Sequence, residues 1–306
     1  MVATEVHLHE QAENLDNLKS IENNPNYKFV EGDICDKYIV ESLVKDCDII
    51  INFAAETHVD RSIKNADEFI KSNITGVNNL LESIKLNPEV KLVHISTDEV
   101  YGSIESGSFD ESSKLNPKNP YSASKASAEF FVNSFINTHN IKAIMTRSSN
   151  NFGPYINPEK LIPLMITNAL ENKELPVYGN GTQVRDWLYI EDNCRAIKLV
   201  MEKGKLGEVY NITAKNEISN IELVKSILRI LKKPESLIRF VKDRPGHDKR
   251  YSITNEKIKN LGWKPKYSFN NALKITVNWY LNNKEWVSSA KSGEYMEYYK
   301  KQYLQR

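Results

Sequence analysis

No glycine precedes Gly32, and the whole chain of 306 residues holds only 12. A glycine-rich phosphate-binding turn is therefore excluded from the first 31 positions, because such a turn needs glycine where backbone meets a phosphate. Long apolar runs are also missing: none approaches the ~20 residues that span a bilayer, and Met1-Val2-Ala3-Thr4-Glu5 does not read as a secretory leader. The three cysteines, Cys35, Cys47 and Cys194, are scattered and odd in number. That excludes a disulfide framework and a cysteine metal site, and reads as reduced thiols in a cytoplasmic protein. Charge of one sign is lacking too. The 41 basic and 40 acidic residues leave a formal charge of +1, so neither nucleic acid nor a membrane surface is expected as partner. With 40% hydrophobic and 26% charged residues, the chain is a globular protein large enough for two lobes.

Short apolar runs alternate with helical patterns through the first half, which predicts a parallel α/β sheet. Strands are expected over 27–31, 48–54, 91–96 and 141–146, and helices over 36–45, 66–86 and 120–139. The run 48–54 reads as a buried strand. Continuous apolar strands need helices on both faces, so the fold class is a Rossmann-like doubly wound parallel sheet. From Asn150 onward proline and glycine become frequent and short strands mix with helices. Strands are expected over 176–178, 182–188 and 209–212, with helices over 190–201, 221–231 and 269–286. This predicts two units: residues 1–149 as the dinucleotide-binding domain, and 150–306 as a smaller α+β substrate lobe with some segments returning to the first.

Two motifs carry chemistry. Ser96-Thr97-Asp98-Glu99-Val100-Tyr101-Gly102 puts an alcohol and two adjacent carboxyl groups at a strand end, where open α/β sheets bind ligands. Tyr121-Ser122-Ala123-Ser124-Lys125 puts a phenol and an ammonium one helical turn apart. A tyrosine acting as base at neutral pH needs about three pKa units of stabilisation, ~4 kcal/mol, which a nearby lysine, together with a cationic nicotinamide ring if present, would supply by charge. Tyr-x-x-x-Lys alone is weak. With 15 tyrosines, about one or two matches arise by chance. A second copy, Tyr280 to Lys284, lies beside Trp279 and Trp286 and reads as helix packing.

The chain resembles the extended short-chain dehydrogenase/reductases, the NAD-dependent epimerase/dehydratase family, and within it the dTDP-glucose 4,6-dehydratases. The two motifs above carry the resemblance, together with Asn52-Phe53-Ala54-Ala55-Glu56-Thr57-His58-Val59-Asp60-Arg61-Ser62, Asn150-Asn151-Phe152-Gly153-Pro154-Tyr155, Glu159-Lys160-Leu161-Ile162-Pro163, Arg185-Asp186-Trp187 and Asp243-Arg244-Pro245-Gly246-His247-Asp248. The adjacent acids separate dehydratases from epimerases and reductases.

The resemblance implies NAD as cofactor and transient oxidation at the sugar C4, elimination of water across C5–C6 and hydride return to C6. Tyr121, with Thr97 and Lys125, would act at C4; Glu99 would take the C5 proton and Asp98 would protonate the C6 hydroxyl. Adjacent carboxyls split their pKa values, which suits opposite roles. Cofactor contacts carried over are Asp33, Ile34, Ala54, Ala55, Ser72, Tyr121, Lys125 and Asn151. Those to the nucleotide-sugar substrate are His58, Asn150, residues 160–164 (Lys160, Leu161, Ile162, Pro163, Leu164), Pro176, Val177, Tyr178, Arg185, Asn220, Arg244 and His247. No metal is implied. The resemblance also implies a homodimer through a four-helix interface formed by the helices at 66–86 and 120–139.

One departure stands out. The family opens with a strand, a glycine-rich turn and a helix, about 30 residues that have no counterpart here. Residues 1–8 align with the family's second strand, and His7 stands in place of an acid expected at the ribose. The expectation is an N-terminally incomplete sheet with a weakened phosphate anchor. A shortened gene product, a completing polypeptide, and a nucleotide-sugar-binding relative without activity all fit. A related epimerase or decarboxylase is the alternative enzyme.

Overall fold

The computed structural model describes residues 3–5 and 14–291; His7 lies outside them. Strand β1 (Ala3–Glu5) pairs in parallel with β2 (Tyr27–Phe29). Helix α1 (Lys37–Val44) is capped by the Asp36 carboxylate, which accepts from the N–H groups of Tyr38 and Ile39. After β3 (Ile49–Asn52) and α2 (Val59–Lys64), α3 (Asp67–Ile70) continues through a π-helical stretch, Lys71–Gly76, into α4 (Val77–Lys85). Gly76 is needed there, since a Cβ would lie 2.3 Å from Ile34 Cγ2. Strand β4 (Lys91–Thr97) ends in a 3-10 turn, Asp98–Tyr101. Helix α5 (Pro120–His139) starts and stops where its sequence says: Asn119 and Ser122 form a capping box, Pro120 opens the first turn, and Asn140 ends it in left-handed conformation. Strand β5 (Lys142–Ser148) follows.

The second half holds β6 (Asn150–Phe152), α6 (Leu161–Leu170), β7 (Leu175–Tyr178), β8 (Val184–Tyr189), α7 (Ile190–Lys203), β9 (Val209–Ile212), β10 (Glu217–Ser219), α8 (Asn220–Leu231), β11 (Ile238–Val241), α9 (Glu256–Asn260), α10 (Phe269–Asn282) and α11 (Lys284–Ala290).

The main sheet is parallel, in the order β3-β4-β5-β9. Its two faces are both covered, as side-chain alternation requires. Leu92, Ala143 and Met145 face Val77, Leu81, Ala128 and Val132 from α4 and α5, whereas Val93 and Ile144 face Ala196, Ile197 and Val200 from α7. A third cluster, around Phe152, Ile162, Leu164, Met165, Leu223 and Leu273, is the core of the second half. There β6 and β10 flank β8, and β7 pairs with β11. Strand β9 returns from the second half to the main sheet, beside β5.

Three expectations change. The strand at 48–54 is not buried: Ile49, Ile51 and Phe53 are 43%, 38% and 57% exposed. Among the described residues β3 is an edge strand and β1–β2 form a separate pair, so only one face of β3 is covered, where Ile50 packs against the cluster that holds Val40 and Val44 of α1. The helix at 269–286 breaks at Asn283, whose φ of −119° and ψ of 52° leave the helical region. Helix α6 was missed. Eight of its ten residues are buried, so it lacks the polar stripe by which amphipathic helices are recognised.

Candidate active site

The C-terminal end of β4 builds the centre of the site. Thr97 Oγ1 accepts from the Glu99 N–H at 3.2 Å, capping the 3-10 turn and setting both acids on it. Asp98 is 2% exposed; its Oδ1 accepts from the Thr97 hydroxyl at 3.4 Å, and its Oδ2 has no partner among the described residues. Burial pushes the Asp98 carboxyl well above the usual range, and the neighbouring Glu99 adds to the rise. Glu99 is half-buried, and its Oε2 accepts from the Tyr251 hydroxyl at 3.3 Å.

Tyr121, in the first turn of α5, reaches the same point from the neighbouring element and hydrogen-bonds Thr97. Burial pushes its hydroxyl above the ordinary tyrosine range, Glu99 raises it further, and the Thr97 hydrogen bond opposes. The charges bearing on this phenol are the Glu99 and Asp98 carboxyls, and both raise it. Lys125 is 5% exposed and donates to the Ile95 carbonyl at 2.6 Å. Burial brings its ammonium down to about 8, with the Glu129 charge opposing.

Cationic and aromatic side chains rim this centre. Lys160 donates to the Thr57 carbonyl at 3.0 Å and lies within the field of Glu99. The Arg185 guanidinium stacks 4.3 Å from the Tyr251 ring centroid and donates to the Asp248 carbonyl. Arg244 pairs with Asp60 at 3.0 Å, and Asp60 also accepts from Tyr178 at 2.8 Å. His247 pairs with Asp243; burial, then the Arg244 charge, lowers it to about 4. His58 lies 3.4 Å from Glu159, and burial with Lys160 lowers it to about 3. Asn220 opens α8. By contrast Ile162, Leu164 and Val177 lie in the apolar core of the second half, with Leu161 packed against it, and Pro163 and Pro176 are buried.

The other expected contacts lie in the loop after β2, in the loop after β3 and in the π-helical stretch before α4. Asp33 Oδ1 accepts from the Cys35 N–H at 2.7 Å and faces Lys71 at 3.6 Å. Ile34 packs on Gly76. The Ala54 N–H donates to Asn52 Oδ1 at 3.1 Å, Ala55 is half-buried beside it, and Ser72 is buried in the π-helical stretch. Buried side-chain oxygens of Asn150, Asn151 and Asn220 have no partner among the described residues. Each unmet acceptor costs about 1–3 kcal/mol, so these atoms suit donors from bound molecules. The residues present thus fit the nicotinamide end of a dinucleotide, at Tyr121, Lys125 and Asn151.

Paired acids at a parallel-strand terminus beside a helical Tyr-x-x-x-Lys define the extended short-chain dehydrogenase/reductases, in their dehydratase branch. The chain belongs to the GDP-mannose 4,6 dehydratase family, whose model matches residues 2–276. It is 48% identical to the low-salt glycan biosynthesis protein Agl12 of Haloferax volcanii over 88% of this chain and 87% of that one. It is 45% identical to a dTDP-glucose 4,6-dehydratase of Xanthomonas campestris over 93% and 87%. The crystal structure of DesIV, a dTDP-glucose 4,6-dehydratase from Streptomyces venezuelae with NAD and TYD bound, superposes with a TM-score of 0.93 at 42% identity, covering 94% of this chain and 90% of that one.

Sequence reasoning missed four participants. The Tyr251 hydroxyl sits between two carboxyls, 2.6 Å from Asp248 Oδ2 and 3.3 Å from Glu99 Oε2, Glu159 orients His58, and Asn73 clamps the Glu56 backbone to Ser124 through bonds of 2.8–3.0 Å. Asp248 and Glu159 stood inside the quoted motifs. Tyr251 and Asn73 gave no spacing signal, because Glu99, Glu56 and Ser124, the partners that tie them to the site, are distant in sequence.

Proposed function

We propose that this protein dehydrates dTDP-glucose to dTDP-4-keto-6-deoxyglucose. The observation that carries the reading is the acid pair: Asp98 is buried and held toward its protonated form, while Glu99 beside it is half-buried and reached by Tyr251. One carboxyl that keeps its proton next to one in a wetter setting is what simultaneous acid and base catalysis needs. NAD, when bound, supplies hydride acceptance at C4 and hydride donation at C6. Tyr121, once ionised, takes the proton of the C4 hydroxyl; Thr97 opposes the rise in its pKa, and the Lys125 ammonium one helical turn away supplies positive charge to the phenolate. The C4 ketone acidifies C5–H, so Glu99 removes that proton. Asp98 gives its proton to the C6 hydroxyl, the C6–O bond breaks, and water leaves. Glu99 returns a proton to C5, and the net change in the sugar is loss of one water. Arg185 and Arg244, whose planar forks match phosphate oxygens, bind the diphosphate with Lys160, Asn220 and His247 around it.

Changing Glu99 to Gln tests this. The variant should still form reduced nicotinamide on mixing with NAD and nucleotide sugar, yet lose product and solvent-deuterium exchange at C5. Unchanged turnover would sink the reading, and so would product with C5 unexchanged, which fits an epimerase. We further propose a cytoplasmic homodimer. Ile63, Ile70, Phe130 and Phe131, on α2, α3 and α5, are 37–62% exposed, and three helices presenting apolar side chains to water invite a copy. Sedimentation of Phe130→Glu should then give a monomer where the parent sediments as a dimer.

A further inference from the structure

The motifs above leave one buried polar chain unused. Glu129, Arg147 and Tyr101 are 1%, 5% and 1% exposed. Arg147 Nε donates to the two Glu129 carboxylate oxygens at 3.1 and 3.0 Å, and its Nη1 donates to the Tyr101 hydroxyl at 2.6 Å. That hydroxyl donates to Asn211 Oδ1 at 2.8 Å. The Tyr101 ring lies between the Arg147 guanidinium, 4.7 Å away, and Phe109, 5.2 Å away.

Stability does not account for such a chain. Two charges removed from water are repaid only partly by their attraction, and an apolar pair of equal volume is commonly as stable or more so. What a bidentate guanidinium does provide is fixed geometry. The elements joined are the ones the reaction needs in register. Glu129 stands four residues beyond Lys125 on α5, hence one turn along the same face. Tyr101 closes the turn that carries Asp98 and Glu99. Arg147 lies on β5 and Asn211 on β9, the two strands beyond β4 in the sheet.

We propose that the Glu129–Arg147–Tyr101–Asn211 chain is a positioning device, which locks the turn bearing Asp98 and Glu99 to the helix bearing Tyr121 and Lys125. The role in the reaction rests on the dehydratase reading, but the locking itself does not. None of the four residues is placed at the substrate; they act through the acids. The Glu129 charge is also the one that opposes the fall in the Lys125 pKa, with neutral His94 of β4 facing the same ammonium.

Tyr101→Phe keeps the ring between Arg147 and Phe109 and deletes only the hydroxyl. Glu129→Leu/Arg147→Met replaces the ion pair with apolar groups, which keeps the fold accessible. Amide hydrogen exchange is measured on both, comparing residues 98–102 with α10 as internal reference. Loss of a charge-assisted hydrogen bond should speed exchange in 98–102 about tenfold and leave α10 unchanged. In steady state, kcat should fall by a similar factor with KM for the nucleotide sugar nearly unmoved. Unchanged exchange in 98–102 in both variants overturns the proposal. So does equal acceleration in α10, which marks general destabilisation. If the parent chain fails to turn over dTDP-glucose, the dehydratase reading falls, and the exchange data still decide the locking.

Discussion

The chain contains Tyr-x-x-x-Lys twice, and the two copies differ in nearly everything but spacing. Tyr121 and Lys125 share one continuous helix whose N-terminus abuts the end of β4, and both lie among Thr97, Asp98, Glu99 and the Ile95 carbonyl. Tyr280 lies at 0% exposure among Trp279 and Trp286, and its hydroxyl donates to the Ile156 carbonyl at 2.7 Å. The helix then breaks at Asn283, so Lys284 starts the next helix and is exposed. A phenol whose hydrogen bond ends on a backbone carbonyl of the core has no proton to exchange with a substrate. A phenol facing acids and an alcohol at a strand terminus does. Spacing is a necessary condition, and the neighbours decide the chemistry.

That contrast can be broken. Tyr121→Phe removes the proton acceptor and should lower kcat by roughly 10²–10⁴-fold, while Tyr280→Phe should leave steady-state turnover within twofold. Equal losses in the two variants would erase the distinction.

The second lysine is exposed, whereas Lys125 is buried with a pKa of about 8 against 10.5 in the unfolded chain. Between those values the folded state binds fewer protons than the unfolded one, so stability from this site rises with pH. Burying the charged ammonium costs most below pH 8, and the cost fades toward pH 10.5. Relative to Lys125→Met, the parent should therefore gain on the order of 3 kcal/mol between pH 7 and 10.5, measured by urea unfolding. Lys284→Met, tested identically, should show no such slope. A flat Lys125→Met difference would mean that the ammonium stays solvated.

The smallest effect sharpens the structural half of the comparison. Tyr280→Phe leaves the Ile156 carbonyl without its donor and should cost about 1 kcal/mol of unfolding free energy, read from the same denaturation curves. No change in stability would assign the hydroxyl no structural role either.

Much of the site was legible because its residues are near in sequence. Thr97, Asp98 and Glu99 are consecutive, Tyr121 and Lys125 share one helical face, and α5 carries its own start and stop signals at Asn119, Pro120 and Asn140. The apolar runs at β4 and β5 also announced a sheet covered on both faces. The failures have physical causes. An apolar run such as Ile49–Asn52 records the capacity to be buried, whereas burial depends on which strand lies alongside. Helix α6 is buried nearly all round and so has no stripe to read.

The sequence by itself determined local matters: helix limits set by caps, strand runs set by short continuous apolar stretches, and the identity and spacing of the reactive groups, all interactions within a few residues. Only the tertiary structure decided which groups stand together and in what protonation state. Asp98 is held toward its neutral form by burial among elements drawn from distant parts of the chain, and Glu99 meets Tyr251 across 152 positions. Solvent exclusion and long-range charge belong to the assembled fold, so no window of sequence contains them.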